Sequence, residues 1–135
     1  MAMRLTSFTD YGLRMLMRMT RAPERVFSTA ELAEELGLPR NHLAKIIQKL
    51  AQMGIVETRR GGGGGAILAR PPDQISLGET IRRLEEGQAL VDCLTTGGER
   101  DCSLDGKCRL KFRLIAAEQA FYADLDKHSL ASIVL

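Results

Sequence analysis

A mostly α fold with a small β-hairpin is the class this sequence predicts: a winged helix-turn-helix followed by a long C-terminal dimerisation helix. Three observations predict it. Two capped helical segments meet at Leu36-Gly37-Leu38-Pro39, two β-prone runs flank a glycine tract at 61–65, and apolar residues recur at helical spacing through 109–127.

Residues 9–20, TDYGLRMLMRMT, place Tyr11, Leu13, Leu16, Met17 and Met19 at helical spacings, with Thr9 or Asp10 available to cap the start. Ser28 and Glu31 form a capping box ahead of a short helix that stops at Gly37. Pro39 suits the first turn of the next helix, where Leu43, Ile46, Ile47 and Leu50 share one face and Gly54 ends the run. IVETRR and AILARP then read as two strands of a hairpin with a glycine-rich tip. Ser76 and Glu79 make a second capping box, opening a helix through Leu84 toward Gly87. In the last helix Leu110, Leu114, Ala117, Phe121 and Leu125 recur at steps of four, three, four and four. A chain this short has little else to cover that stripe, so a homodimer is expected. The expected organisation is a DNA-binding winged helix at 1–75, a linking helix and cysteine loop at 76–108, and a dimerisation helix and tail at 109–135.

At 135 residues, 44% of them apolar, the chain suits one compact domain. Its first residues carry no apolar run of signal-peptide length, and no stretch approaches the ~20 apolar residues that span a membrane. A soluble cytoplasmic protein without a membrane partner is expected. The net charge is only +2, but it is unevenly placed: residues 40–60 hold five basic residues against Glu57, and residues 84–106 hold six acidic residues against Arg100. One region suits a polyanion and the other a cation.

The third helix presents Arg40, Asn41, His42, Lys45 and Lys49 off its apolar face or at its N-terminal end. Arg and Lys pair with guanine edges or phosphates, Asn pairs with adenine, and the first residues of a recognition helix reach base edges most readily. Arg59 and Arg60 stand at the base of the wing. Ser28 and Thr29 at the start of the second helix, and Gly64 in the wing, complete the candidate DNA-binding set. The glycine tract is not a phosphate-binding loop, because Ala66 follows where Lys and then Ser or Thr are required. It suits a turn with residues at positive φ that brings the wing backbone close to DNA. With no nucleophile–base pair and no nucleotide-binding loop, an enzyme is not expected.

All three cysteines lie in one segment, DCLTTGGERDCSLDGKCRL, spaced C-x8-C-x5-C. A reducing cytosol disfavours structural disulfides, and an odd count leaves one thiol over. Structural zinc prefers close cysteine pairs, and none exists here. Three thiolates in an acidic segment call for a bound cation. Iron–sulfur clusters accept irregular spacings, and Lys107, Arg109 and Lys111 beside Cys108 offset charge. Such a cluster normally takes four protein ligands, so the fourth must be another residue type, an external ligand or a group from a partner chain.

Over nearly its whole length the sequence resembles the Rrf-two family of winged-helix regulators, and within it the NsrR branch of nitric-oxide-responsive repressors. LTSFTDYGLR at 5–14, LPRNHLAKIIQKL at 38–50, RGGGGGAILARP at 60–71 and the three-cysteine segment carry the resemblance. It implies a homodimeric DNA-binding repressor on a palindromic operator, with one iron–sulfur cluster per subunit, 4Fe-4S or alternatively 2Fe-2S. Cys93, Cys102 and Cys108 would be three ligands, and Asp10 from the other subunit the fourth. Arg14, one turn beyond Asp10 on the same side, looks placed to hold that carboxylate or adjust the interface. A branch that regulates cluster assembly has a histidine where this chain has Lys111. The gap from Cys93 to Cys102 is longer than is usual for NsrR and nearer that of the iron-responsive RirA branch.

Two other readings compete with nitric oxide sensing by a cluster repressor. The same scaffold could respond to iron or redox state through cluster loss, or the chain could be an iron–sulfur electron-transfer or carrier protein with incidental basic helices.

Overall fold

The computed structural model describes residues 4–60, 64–88 and 108–134. Within them the chain runs α1 (Ser7–Thr20), β1 (Phe27–Ser28), α2 (Thr29–Leu36), α3 (Arg40–Gln52), β2 (Val56–Arg59), β3 (Gly65–Leu68), a 3-10 turn (Pro72–Gln74), α4 (Leu77–Leu84), α5 (Arg109–Leu125) and a final 3-10 turn (Leu130–Ile133). This is the expected winged helix with a long C-terminal helix, and no helix among the described residues is long and apolar enough to cross a membrane.

The first helix starts earlier than the sequence suggests. Thr6, not Thr9 or Asp10, is the cap: its backbone is extended and its hydroxyl accepts the Thr9 amide at 3.2 Å. Thr9 is fully buried, and the inward face is Thr9, Gly12, Met15, Leu16 and Met19, while Tyr11, Leu13 and Met17 are only half-buried. Gly12 explains the rotation. A Cβ there would lie 3.3 Å from Ile46 Cγ2 and 3.4 Å from Leu84 Cδ1, so its missing side chain lets α1 press against both α3 and α4.

The Ser28–Glu31 capping box forms in both directions, and α2 ends at Gly37 with φ of 65°, the left-handed cap that glycine adopts without strain. Pro39 serves as the N-cap of α3 rather than a residue of its first turn; its extended backbone makes the corner, and its carbonyl accepts the Leu43 amide at 3.1 Å. Leu43, Ile46, Ile47 and Leu50 are buried as the periodicity requires.

The wing gains a strand that the sequence reading lacked. β2 and β3 pair as an antiparallel hairpin, Val56 opposite Leu68 and Arg59 opposite Gly65, and β1 joins the other edge of β3, giving the order β1-β3-β2. A Cβ on Gly65 would sit 2.6 Å from the Phe27 carbonyl oxygen, so glycine is what lets β1 approach. Phe27 is fully buried, and the guanidinium groups of Arg18 and Arg25 lie 4.7 and 4.4 Å from its ring centroid.

Ser76 caps α4 by accepting the Glu79 amide at 3.1 Å. Ile75, Leu77, Ile81 and Leu84 join the same core as the helix-turn-helix residues, and so does Leu130 of the final turn, which is fully buried. That turn is pinned by Leu130 N to Ile75 O at 3.0 Å, Leu77 N to His128 O at 3.0 Å, and a bridge between Ser76 and Ser129. His128 itself is exposed. α5 is thereby tied to the domain at its C-terminal end, where Tyr122 and Leu125 touch the core. Toward its other end Leu110 and Phe112 are 62% and 68% exposed.

Candidate functional site

The buried stripe of α3 turns the opposite face outward. Arg40, Asn41, His42 and Lys45 are exposed together at its N-terminal half. Arg40, Asn41 and Lys45 have no side-chain hydrogen bond or ion pair within the described residues, leaving their donors available to a ligand. His42 stacks on Tyr11 of α1, with ring centroids 5.9 Å apart and planes inclined at 23°. Lys49, one turn beyond Lys45, is half-buried, and its Nζ lies 3.1 Å from Glu86 Oε2.

In the wing, Arg60 is exposed and Arg59 is held by Glu57 on its own strand at 3.0 Å. Gly64 has φ of 85°, a conformation suited to glycine, while Gly61, Gly62 and Gly63 lie outside the described residues. Ser28 and Thr29 are half-buried at the start of α2. The Ser28 oxygen is already an acceptor for the Glu31 amide at 3.0 Å, so what it can offer a phosphate is its hydroxyl hydrogen.

Asp10 and Arg14 form a bidentate pair on α1. Arg14 Nε donates to Oδ1 at 3.2 Å and Nη2 to Oδ2 at 3.0 Å, with both side chains about half exposed. The same guanidinium lies 6.0 Å from the Tyr11 ring centroid. A run of contacts therefore leads from Asp10 through Arg14 and Tyr11 to His42 in the first turn of α3. The sequence marks its first, second and last members as candidate site residues; Tyr11 stands there only among the helically spaced residues of the first helix, and that spacing gives no hint of a stacking partner on another helix.

Cys108 stands at the N-cap position of α5, half-buried and unpaired. Cys93, Cys102 and Lys107 lie outside the described residues, and no group of three or more potential metal ligands occurs among those described. The acidic count that suggested a bound cation needs one correction. Glu85 and Glu86, two of those six residues, are used inside the fold: Glu85 Oε2 accepts the Thr6 amide at 3.2 Å, the Thr6 hydroxyl at 2.6 Å and the Thr9 hydroxyl, and Glu86 holds Lys49. The cation argument thus rests on the thiols and the four remaining acidic residues.

Residues 5–135 match the Rrf2 family, described as "Iron-dependent Transcriptional regulator". The chain is 43% identical over 134 residues to the HTH-type transcriptional repressor NsrR of Streptomyces coelicolor, covering 98% of this chain and 88% of that one. Among solved structures, T. potens IscR superposes with a TM-score of 0.69 at 26% identity, covering 96% of this chain and 84% of IscR. CymR, the global cysteine regulator of B. subtilis, gives 0.66 at 25% identity, covering 98% and 99%.

Proposed function

The chain belongs to the Rrf2 family of transcriptional regulators, and on that premise we propose that it is a homodimeric DNA-binding repressor whose operator affinity is controlled by an iron–sulfur cluster that senses nitric oxide. The observation that carries the proposal is the exposed N-terminal face of α3, linked through Tyr11 and Arg14 to the carboxylate of Asp10.

The DNA-binding part follows from chemistry. Arg40, Asn41 and His42 reach base edges in the major groove, Lys45 takes a backbone phosphate beside them, and Arg60, Arg59 and Gly64 bring the wing to a neighbouring phosphate or groove. Two such helices in a symmetric dimer would meet a palindromic operator about 34 Å apart. The exposed apolar residues of α5, Leu110, Phe112 and Phe121, support burial against a second copy.

The donor set suits a 4Fe-4S cluster: thiols at Cys93, Cys102 and Cys108, and a carboxylate from Asp10 of the partner subunit. Asp10 fits the role because it is half exposed and its described side-chain hydrogen bonds come from Arg14 of its own helix, which leaves it free to exchange partners. When bound, the cluster supplies iron with which nitric oxide reacts. The work of this chain is to hold the Asp10 carboxylate in one of two places, as a ligand or against Arg14. Because Arg14 also lies over Tyr11, that choice is felt at His42. A two-state change at Asp10 then biases the reading head, as linkage requires.

The experiment is an anaerobic visible spectrum with iron and sulfide analysis, combined with operator binding before and after stoichiometric nitric oxide. A cluster whose loss to nitric oxide releases DNA supports the proposal. A colourless protein with tightly bound zinc overturns it, and equal release by chelators or oxygen favours iron or redox sensing.

A further inference from the structure

Lys45 and Lys49 project from the same side of α3 one turn apart, yet they are not equivalent. Lys45 has no partner among the described residues, whereas the ammonium of Lys49 is 3.1 Å from Glu86, a residue 37 positions later in sequence. We propose that Glu86 is an affinity-determining residue for DNA: an internal carboxylate that occupies Lys49 and must be displaced before that lysine can take a backbone phosphate. The proposal deepens the DNA-binding reading and rests on it.

The placement of Glu86 follows from its neighbours. Leu84, 6% exposed, packs against the gap left by Gly12 of α1. Glu85 is fastened to the N-terminus of α1 by the amide and hydroxyl of Thr6 and by the hydroxyl of Thr9, which is fully buried. The backbone continues the turn, with Glu85 N donating to Ile81 O at 2.9 Å and Glu86 N to Arg83 O at 3.3 Å. Gly87 then leaves in the left-handed region at φ of 92°. With the exit of α4 held on both sides, the Glu86 carboxylate is delivered to the C-terminal half of α3 rather than left to wander in solvent.

The chemistry is a straightforward exchange. A phosphate oxygen and a carboxylate oxygen are both anionic acceptors for an ammonium, and one Nζ in this position serves one of them well. Glu86 is 69% exposed at its side chain and Lys49 32%, so water screens the pair and the competition is mild. An exposed pair of this kind corresponds to about a two- to five-fold effect on affinity. A mild competitor tunes DNA binding without abolishing it.

The test is a double-mutant cycle on the full-length dimer, titrated at low salt against a duplex selected from a random-sequence pool. The proteins are wild type, E86Q, K49M and the double variant, with E79Q as a control for removing one negative charge from α4 away from Lys49. E86Q should bind the duplex about two- to five-fold more tightly, K49M should bind more weakly, and E86Q should give no gain in the K49M background. E79Q should bind as wild type does. No tightening in E86Q, or an equal gain with and without Lys49, overturns the proposal, the second result assigning the effect to bulk charge. Glu86 and Lys49 are surface residues, and matching circular dichroism melts verify that each variant is folded. Should wild type select no duplex at all, the DNA-binding reading falls and this inference with it.

Discussion

Arg14 grips the carboxylate of Asp10 from one helical turn away, through two hydrogen bonds of 3.2 and 3.0 Å. Both side chains are about half exposed, so the pair contributes little to folding, roughly 0.5 kcal/mol or less. Its value lies in what it connects: a candidate ligand on one side and, through Tyr11, the first turn of α3 on the other.

Replacing Arg14 by Ala should therefore leave the melting temperature nearly unchanged while narrowing the difference in operator affinity between cluster-loaded and cluster-free protein. Thermal melts and paired titrations of the two forms check this. A large drop in stability with an intact affinity difference would assign Arg14 a purely structural role.

Lys45→Ala and Arg60→Ala should each weaken DNA binding and lower the slope of log affinity against log salt by about one unit. Arg59→Ala should do less, because Arg59 is already shared with Glu57 at 3.0 Å. Binding isotherms at several salt concentrations separate these outcomes.

The residues that made this face legible in the sequence carry local signals. Gly37, the Ser28–Glu31 box and the 3.6-residue spacing of Leu43, Ile46, Ile47 and Leu50 fix α2 and α3 without reference to the rest of the chain. What stayed hidden depends on distant partners. β1 is two residues long and has no period to detect; it exists because Phe27 and Ser28 pair with Ala66 and Gly65. Thr6 wins the cap of α1 over Thr9 because Glu85, 79 residues away, takes its amide and hydroxyl. Leu130 looks like tail sequence, yet it fills the core beside Ile75. On the candidate site, the exposed α3 face follows from periodicity alone, whereas the pairing of Lys49 with Glu86 and the stacking of His42 on Tyr11 are tertiary facts. Of the cysteines, Cys108 alone falls within the described residues.

Gly78→Ala should destabilise the fold by about 1–3 kcal/mol. A Cβ there would strike Asp126, whose side-chain Oδ1 it would overlap and whose backbone N and Cα would be 2.6 and 2.9 Å away. Asp126 also holds Arg82 at 3.0 Å, so the clash would loosen α5 from α4. Urea denaturation measures the loss; a wild-type midpoint would show that the two helices separate at no cost.

Acid should weaken the junction of α1 and α2. A hydrogen bond from Arg18 to Glu35, 2.6 Å long, holds the Glu35 carboxyl below the usual carboxylate range, with the positive charges of Arg18, Arg25 and Arg21 adding to it against the opposing effect of burial. A depressed folded-state value means that this contribution is present above the ordinary carboxylate pKa and is lost as pH falls through the folded-state value. Arg18→Met should remove that part of the acid sensitivity, read as a smaller drop in melting temperature between neutral and acid buffer. An identical drop in the variant would show that the pair does not participate.

The most direct test of nitric-oxide control is operator affinity measured anaerobically on cluster-loaded protein before and after stoichiometric nitric oxide, with the visible spectrum recorded in the same samples. Bleaching of the spectrum accompanied by a fall in affinity of about five- to 150-fold is the predicted result, with Asp10→Ala giving weakened control. Bleaching with unchanged affinity would contradict it.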